Sequence, residues 1–251
     1  MLRRRVIPCL DVRGGRLVKG VQFRELRDCG DPVVAAERYA AAGADEIVWL
    51  NIDAHAEAWQ ELLRAVERAA ERVDVPLCVG GGIDRPERAR ELLLAGADKV
   101  SVNSAALRTP DLIDTLAEML GNQCVVVAID AARGEGGWWT YSRGGMQATG
   151  IEAIGWAEEV ARRGGGELIV TSIDADGGRR GYDLELIARI RERVRVPVIA
   201  SGGAGELEHL VDALRSGADA ALCASIFHYG QHTIAEAKAH LARAGVPVRA
   251  G

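Results

Sequence analysis

Short apolar runs alternate with longer amphipathic stretches along the whole chain. Runs such as VIPCL, PLCVG and ALCAS are continuously hydrophobic, which is typical of parallel strands covered on both faces. In the longer stretches apolar residues recur at i, i+3 and i+4, as in Leu62, Leu63, Val66 and Ala69, which indicates helices. The alternation predicts helices between eight strands, near residues 5–11, 46–52, 77–80, 98–103, 124–130, 167–173, 197–201 and 219–224.

The two halves of the chain resemble each other. Val75-Pro76, LCVGGG and GADKVSVNS are matched 121 residues later by Val196-Pro197, VIASGG and GADAALCAS. Eight βα units with a twofold repeat favour a single (β/α)8 TIM barrel over residues 1–251, with half-barrels of about 1–121 and 122–251. The open doubly wound sheet is the alternative, and no G-x-G-x-x-G follows the first strand to support it.

Composition excludes several classes of protein. No apolar run approaches the ~18 residues of a membrane span, so we expect a soluble chain without a membrane partner. The formal charge of −5 has no basic block, so we expect no nucleic-acid partner. The five cysteines include no C-x-x-C pair, which argues against disulfides and zinc and for the cytoplasm. MLRRRVIPCLDV lacks the layout of a signal peptide.

Small residues follow four of the predicted strands. In such barrels the carboxyl ends of the strands form the working face. Glycines there leave backbone N–H groups open to a phosphate, although the same pairs also make tight turns. Two related sets predict a ligand with a phosphate at each end. The first set is Gly80, Gly81, Gly82, Asn103 and Ser104, and the second is Gly202, Gly203, Ala224 and Ser225.

Two aspartates end opposed strands of the predicted barrel. Asp11 and Asp130 each close an apolar strand, where they can act as general acid and base across a substrate or simply cap the next loop. Thr171 and Asp176 add polar groups suited to substrate hydroxyls. Lys19, one of only three lysines, follows the first strand. It is either a flexible cation that closes over an anionic substrate or an ordinary solvated loop residue.

Charged residues stand at the starts of four strands, where a packed barrel needs apolar side chains. Balanced charges of this kind can pair in a ring. Such a ring is either a salt-bridged plug at the bottom of the barrel or a gate for a small polar molecule. The four residues are Arg5, Glu46, Lys99 and Glu167.

These motifs together resemble the cyclase-subunit family of imidazole glycerol phosphate synthase, over essentially the whole chain. The matching segments are IPCLDV, GRLVKG, LRDCGDP, VGGGI, GADKVSVNSAA, VVVAIDA, GGGELIVTSIDADG, GYD, VIASGGAG and GADAALCASIFH. The resemblance implies an enzyme of histidine biosynthesis, a lyase without metal or organic cofactor. It combines ammonia with a bisphosphate aminoimidazole carboxamide ribonucleotide that bears a ribulosyl arm. The products are imidazole glycerol phosphate and an aminoimidazole carboxamide ribotide.

The resemblance also assigns roles to residues. It implies that Asp11 and Asp130 are the acid–base pair and Lys19 the mobile-loop lysine. The charged ring becomes the ammonia entrance, where a separate glutaminase subunit docks on the N-terminal face to form a heterodimer. No cysteine in a glycine-rich nucleophile turn points to a glutaminase domain in this chain. The implied phosphate and substrate residues are Gly82, Asn103, Ser104, Thr171, Asp176, Gly177, Ser201, Gly202, Gly203, Ala224 and Ser225.

Some positions depart from the family pattern. The family reads L-D-I-T-A after the second strand, but this chain has Asn51 and Asp53 in Leu-Asn-Ile-Asp-Ala, and Gly178 replaces the usual threonine after D-G. We expect Asp53 to point the same way as Asn51. A divergent loop with Trp138 and Trp139 is expected over residues 134–145. Two alternatives stay open: the sister ribonucleotide isomerase of the pathway, and a non-catalytic or repurposed barrel, engineered or paralogous.

Overall fold

The structure is a computed structural model that describes residues 3–21, 24–53 and 58–249, without the side chains of residues 19, 21 and 24–26. Twelve strands run through the described residues. They are β1 (Arg5–Arg13), β2 (Arg16–Val21), β3 (Arg24–Gly30), β4 (Ile47–Asn51), β5 (Leu77–Gly80), β6 (Lys99–Val102), β7 (Val125–Gly134), β8 (Gly137–Ser142), β9 (Gln147–Glu152), β10 (Glu167–Ser172), β11 (Val198–Ser201) and β12 (Ala220–Cys223).

Ten α-helices and one short 3-10 helix, Asn122–Cys124, fall within the same residues. Local chemistry sets their ends. For example, Asp31 caps the first helix by accepting the backbone N–H groups of Val33 and Val34. The α-helices are α1 (Pro32–Ala41), α2 (Ala58–Ala70), α3 (Pro86–Leu94), α4 (Ser104–Arg108), α5 (Asp111–Leu120), α6 (Ala153–Arg162), α7 (Leu184–Arg193), α8 (Leu207–Arg215), α9 (Ser225–His228) and α10 (Ile234–Arg243).

Eight of the described strands are parallel and close into a barrel. Neighbouring strands follow the order β12, β1, β4, β5, β6, β7, β10, β11, and β11 pairs again with β12. This closed ring with helices between the strands confirms the predicted (β/α)8 fold. Each of the eight predicted strands begins within one residue of its observed start. Gly121, the predicted half-barrel boundary, lies just after α5, and both the division into half-barrels and the twofold repeat stay predictions.

Two segments outside the eight predicted strands contribute β-hairpins. The segment from Gly14 to Pro32 contains β2 and β3, which extend β1 by antiparallel pairing. The segment over residues 134–145 contributes β8, which pairs with β7 and β9. Gly14 and Gly15 have φ of 54° and 66°, the two left-handed residues that a tight hairpin turn requires. The sequence pattern missed these strands because they lie outside the closed barrel and are not continuously apolar.

The barrel interior is filled with side chains. An apolar cluster inside the ring is separate from the larger core between strands and helices, as in other TIM barrels. Among the cysteines, Cys9 and Cys78 belong to the interior, whereas Cys124 ends the 3-10 helix and does not lie on a strand as expected. The interior cluster comprises Ile7, Cys9, Val48, Cys78, Val126, Ile169, Ile199, Ala220 and Leu222.

Aspartates join adjacent strands at the floor, the end of the barrel where the parallel strands begin. Asp45 accepts the backbone N–H of Val6 at 2.8 Å. Asp98 and Asp219 make the same contact with Leu77 at 2.8 Å and Val198 at 3.1 Å. Each of the three aspartates ends a Gly-Ala-Asp triplet. The repeated triplet therefore has a structural role, because its carboxylate satisfies a backbone donor at a strand start.

Candidate active site

Asp11 and Asp130 face each other across the rim, the end of the barrel where the parallel strands finish. They lie on β1 and β7, which are four strands apart in the ring of eight. Their residues are 6% and 8% exposed, so each carboxyl group is largely withdrawn from bulk water. The structure thus places the two predicted aspartates on opposite walls of the barrel at its rim.

Asp130 has the pKa of a group that exchanges protons near neutral pH. Its Oδ2 accepts a hydrogen bond of 2.8 Å from the Asn103 side-chain amide. Burial raises the pKa of Asp130 to about 7, and repulsion from Asp176 and Asp11 acts in the same direction. Hydrogen bonds from Asn103 and Thr171 favour the charged form and partly oppose the shift. A carboxyl group with this pKa can donate or accept a proton at pH 7.

The first rim set, which we define as Gly82, Asn103 and Ser104, lies beside Asp130. Gly82 follows β5 with φ of 73°, and Ser104 begins α4 directly after Asn103. Asn103 Oδ1 is buried and makes no hydrogen bond within the described residues. Since buried polar atoms are normally satisfied, this oxygen is free to accept a hydrogen bond from a ligand.

The second rim set, which we define as Gly177, Gly203, Ala224 and Ser225, gathers the ends of β10, β11 and β12. Gly203 has φ of 108°, and a Cβ atom there would lie 2.0 Å from the carbonyl oxygen of Gly181. A side chain is therefore excluded at this position, and the loops after β10 and β11 meet backbone to backbone. Close approach of this kind leaves N–H groups accessible to an anion.

The two rim sets share a local backbone geometry. Asn103 has φ of −139° and ψ of −87° before α4, and Ala224 has φ of −126° and ψ of −75° before α9. A serine follows in both cases, as Ser104 and Ser225. The predicted correspondence between these loops therefore extends to their backbone angles.

The remaining predicted rim residues surround the same opening. Thr171 on β10 pairs in register with Asp130 on one side and Ser201 on the other. Thr171 and Ser201 are 7% and 8% exposed. Gly202 follows Ser201 with φ of 83°. The backbone N–H of Asp176 donates to Ser172, which holds the loop after β10 close to the strand end.

The four predicted floor residues form one closed ion network. Arg5 donates to Glu46 at 2.7 Å and also to Glu167. Lys99 Nζ lies 2.9 Å from Glu46 Oε2 and 2.8 Å from Glu167 Oε2. The two glutamates are nearly inaccessible, while the two cations are about one-fifth exposed. The network thus closes the barrel interior at its floor.

The two glutamates of the network differ in proton affinity. Burial raises the pKa of Glu46, and the charge of Lys99 offsets this only in part. Burial acts on Glu167 in the same direction, but the charges of Arg5 and Lys99 outweigh it and lower the pKa. Glu46 is therefore the carboxylate of the network that is more readily protonated.

The departures from the family pattern have separate structural settings. Asn51 ends β4 and is 9% exposed. Asp53 accepts a hydrogen bond from the backbone N–H of Gly14, so its carboxylate fastens the turn between β1 and β2. Gly178 is exposed, and its N–H donates to Ala175 at 3.0 Å. Lys19 lies on β2, not in a loop, and its side chain lies outside the described residues.

The two tryptophans of the β8 strand pack against the protein. Trp138 is 4% exposed, and its indole N–H donates to Asp183 at 2.8 Å. The guanidinium of Arg133 lies 4.2 Å from its ring centroid. Trp139 donates to the carbonyl of Glu135 at 3.2 Å. Trp138 is thus part of the core and not a cover over the rim.

Sequence reasoning missed two arginines at the rim. Arg143 and Arg179 are the non-glycine residues with positive φ in the described part of the chain, at 55° and 56°. Residues in this conformation are uncommon and concentrate at functional sites. No sequence signal could have found them, because arginine is not typical of left-handed turns.

The described residues provide no group of three or more His, Cys, Asp or Glu side chains that could hold a metal ion. Within the same residues, no helix has the length and apolar character needed to cross a membrane. None of the five cysteines forms a disulfide within the described residues.

Comparison with known proteins places this geometry in a family. A family described as histidine biosynthesis protein matches residues 5–233. The imidazole glycerol phosphate synthase subunit HisF of a Synechococcus species is 58% identical, over 99% of this chain and 100% of the relative. The subunit of the same name from Trichormus variabilis is 56% identical, over 99% of both chains. That of a Nostoc species is 55% identical, over 99% of this chain and 98% of the relative. The chain therefore belongs to the histidine biosynthesis protein family that includes the HisF subunits of imidazole glycerol phosphate synthase.

Proposed function

We propose that this chain is the cyclase subunit of imidazole glycerol phosphate synthase. It combines ammonia with the ribulosyl aminoimidazole carboxamide bisphosphate and releases imidazole glycerol phosphate and the aminoimidazole carboxamide ribotide. The observation that carries the proposal is the buried Asp130, with a pKa of about 7, opposite Asp11 and between two glycine-rich rim sets. Ring closure and bond cleavage both require proton transfers at a bound substrate, which such a pair can supply.

The two rim sets hold the two phosphates. The N–H groups of the second rim set and the hydroxyls of Ser104 and Ser225 suit phosphate oxygens. A bisphosphate stretched between the sets places its central atoms between Asp11 and Asp130. Thr171, Asp176 and Ser201 line the opening and bind substrate hydroxyls, with Gly202 shaping the loop. Lys19 is the cation that pairs with the bound anion in this proposal.

Protons move in both directions during the reaction. Ammonia adds to the ketone carbon of the ribulosyl arm and loses protons, and the ketone oxygen leaves as water after accepting protons. Asp130 and Asp11 exchange these protons from opposite sides. The nitrogen introduced as ammonia then bonds to the carbon that carries the aminoimidazole nitrogen, which closes the imidazole ring. The C–N bond from that carbon to the aminoimidazole breaks, and the leaving nitrogen takes a proton as the ribotide departs. The Asn103 amide keeps Asp130 oriented through the 2.8 Å hydrogen bond.

Ammonia enters through the floor. The network of Arg5, Glu46, Lys99 and Glu167 gates the entrance, and the interior side chains between floor and rim, such as Cys9, Cys78 and Ala220, are apolar. An apolar interior suits neutral ammonia and excludes ammonium, because a buried unpaired cation is costly. The relatives are named as subunits of a synthase. A glutaminase subunit that releases ammonia docks on this floor to form a heterodimer.

A direct assay tests the cyclase activity. The purified chain is incubated with the ribulosyl bisphosphate and an ammonium salt, and loss of substrate absorbance is followed. We expect turnover, a fall of about 100-fold or more in kcat for Asp130→Asn, and no change for Asp111→Asn, a matched carboxylate on α5 that is 86% exposed. A folded chain that binds substrate without turnover would favour the repurposed barrel and contradict the proposal.

A second assay tests the docking face. Leu94, at the end of α3 on the floor side, is 78% exposed, and Met146, in the turn between β8 and β9, is 80% exposed. We expect Leu94→Asp to weaken association with a partner glutaminase subunit and to lower glutamine-dependent turnover, while ammonium-dependent turnover is kept. Met146→Asp is the matched control and should leave association unchanged. If Met146→Asp weakened association and Leu94→Asp did not, the partner would dock at the rim and the proposed docking face would be wrong.

A further inference from the structure

We propose that Arg143 and Arg179 are specificity-determining residues that each recognise one phosphate of the substrate, Arg143 at the first rim set and Arg179 at the second. The inference rests on the proposed function for its substrate. The two arginines share a left-handed backbone, with φ of 55° and 56°. Residues with a Cβ rarely adopt this conformation, and where they do the surrounding structure imposes it, often at a binding site.

Arg143 is tied to the first rim set through its backbone. It lies in the turn between β8 and β9, and its N–H donates to Ser104 Oγ at 2.9 Å. The Ser104 hydroxyl accepts this bond and keeps its own hydrogen for a phosphate oxygen. Glycines at 144 and 145 follow it, and a Cβ atom at Gly144 would contact nothing within 4 Å. The Arg143 side chain is exposed and makes no ion pair within the described residues.

Arg179 is tied to the second rim set in a comparable way. Its carbonyl oxygen would lie 2.1 Å from a Cβ atom at Gly205, so its backbone packs directly on the loop after β11. Its guanidinium donates to the side chain of Gln231, which follows α9. Arg179 therefore bridges the loops that follow β10 and β12. A guanidinium has five N–H donors, so most remain for a phosphate.

The chemistry of the two side chains matches that of the ligand. Guanidinium pairs with phosphate through parallel charge-assisted hydrogen bonds, which backbone N–H groups alone cannot replace. With one arginine at each rim set, both ends of the site carry one positive charge for a phosphate. Such a site favours a substrate with two phosphates and rejects one that lacks either of them.

The first test uses inorganic phosphate and does not depend on turnover. Phosphate should raise the Tm of the unmodified protein by mass action, and Arg143→Asn with Arg179→Asn together should abolish the rise. Asparagine tolerates the left-handed backbone, so these variants remove the cation without adding strain. Arg162→Asn, at a side chain 71% exposed on α6, is the control. Equal stabilisation of the double variant and the unmodified protein would overturn the inference.

The second test uses the two products, each of which carries one of the phosphates. In titration calorimetry we expect Arg143→Asn to weaken binding of one product about tenfold or more, and Arg179→Asn to weaken binding of the other. Arg143→Lys and Arg179→Lys should restore part of the affinity. If each Arg→Asn variant weakened binding of both products equally, or of neither product, the inference would be contradicted. If turnover fails but phosphate still stabilises the protein through these arginines, only the proposed reaction is refuted.

Discussion

The Asn103 side chain donates a 2.8 Å hydrogen bond to Asp130 Oδ2, and thereby joins the first rim set to the buried carboxylate. A residue that we propose to bind one end of the substrate thus also lowers the pKa of the carboxyl group that burial raises. Under the proposed function, phosphate binding and acid–base chemistry are coupled through this amide group.

The pH dependence of turnover should follow Asp130. With free ammonia held constant, kcat/KM should change near pH 7, the pKa of this carboxyl. Asn103→Ala removes a hydrogen bond that favours the charged form, so the inflection should move to higher pH. Asp176→Asn removes a repelling charge, so it should move to lower pH. Initial rates measured across the pH range give the inflection of kcat/KM for each variant. If both variants shifted the inflection in the same direction, a group other than Asp130 would be titrating.

Asp130 should also make the protein less stable as pH rises. Its folded pKa lies above the ordinary value of 3.8, so its contribution is fully present below that value and is lost as pH rises toward 7. We expect Asp130→Asn to raise the free energy of unfolding by roughly 2–4 kcal/mol at pH 8 and to change it little at pH 4. Denaturant titrations at the two pH values measure this. An equal increase in the free energy of unfolding at pH 4 and at pH 8 would contradict this prediction.

Removing one cation from the ion network at the floor should lower the stability of the protein by an amount that depends on pH. Lys99→Met leaves Glu46 and Glu167 with one cation, so the pKa of Glu46, already raised by burial, should rise further. A carboxyl with a raised pKa loses stability as pH increases, and we expect a loss of about 2–3 kcal/mol at pH 8 and less at pH 5. Arg162→Met on the exposed face of α6 is the control. Urea unfolding at each pH decides the outcome.

The buried pair of Lys238 and Asp45 gives a prediction independent of catalysis. Lys238 Nζ lies 2.8 Å from Asp45 Oδ1, and the side chains are 7% and 1% exposed. Lys238→Met leaves the buried Asp45 carboxylate without its counterion, and we expect a loss of about 3–5 kcal/mol in the free energy of unfolding. Adding Asp45→Asn should restore part of that loss. A double-mutant cycle measures the coupling, and strictly additive losses would show that the pair contributes nothing.

Periodicity predicted the barrel because its strands are buried on both faces, as in PLCVG around Cys78. The hairpins escaped prediction because β2 and β9 mix polar and apolar residues outside the ring. Asp11 and Asp130 were predictable since a carboxylate rarely ends a buried strand. Arg143 was not, because its significance lies in a backbone angle and a contact to Ser104, 39 residues away, and neither leaves a local pattern.

The pairing that closes the barrel joins distant parts of the chain. β1 lies against β12, with Arg5 opposite Ala220, and Arg4 bonds to Asp219 across a separation of 215 residues. The Lys238–Asp45 contact ties α10 to the same region. Because loop-closure entropy must be overcome before such contacts contribute, topology of this kind folds slowly. We expect pairing of β1 with β12 to be the last and slowest step of folding. In an incompletely folded chain the edges of these two strands would therefore remain unpaired and prone to aggregation.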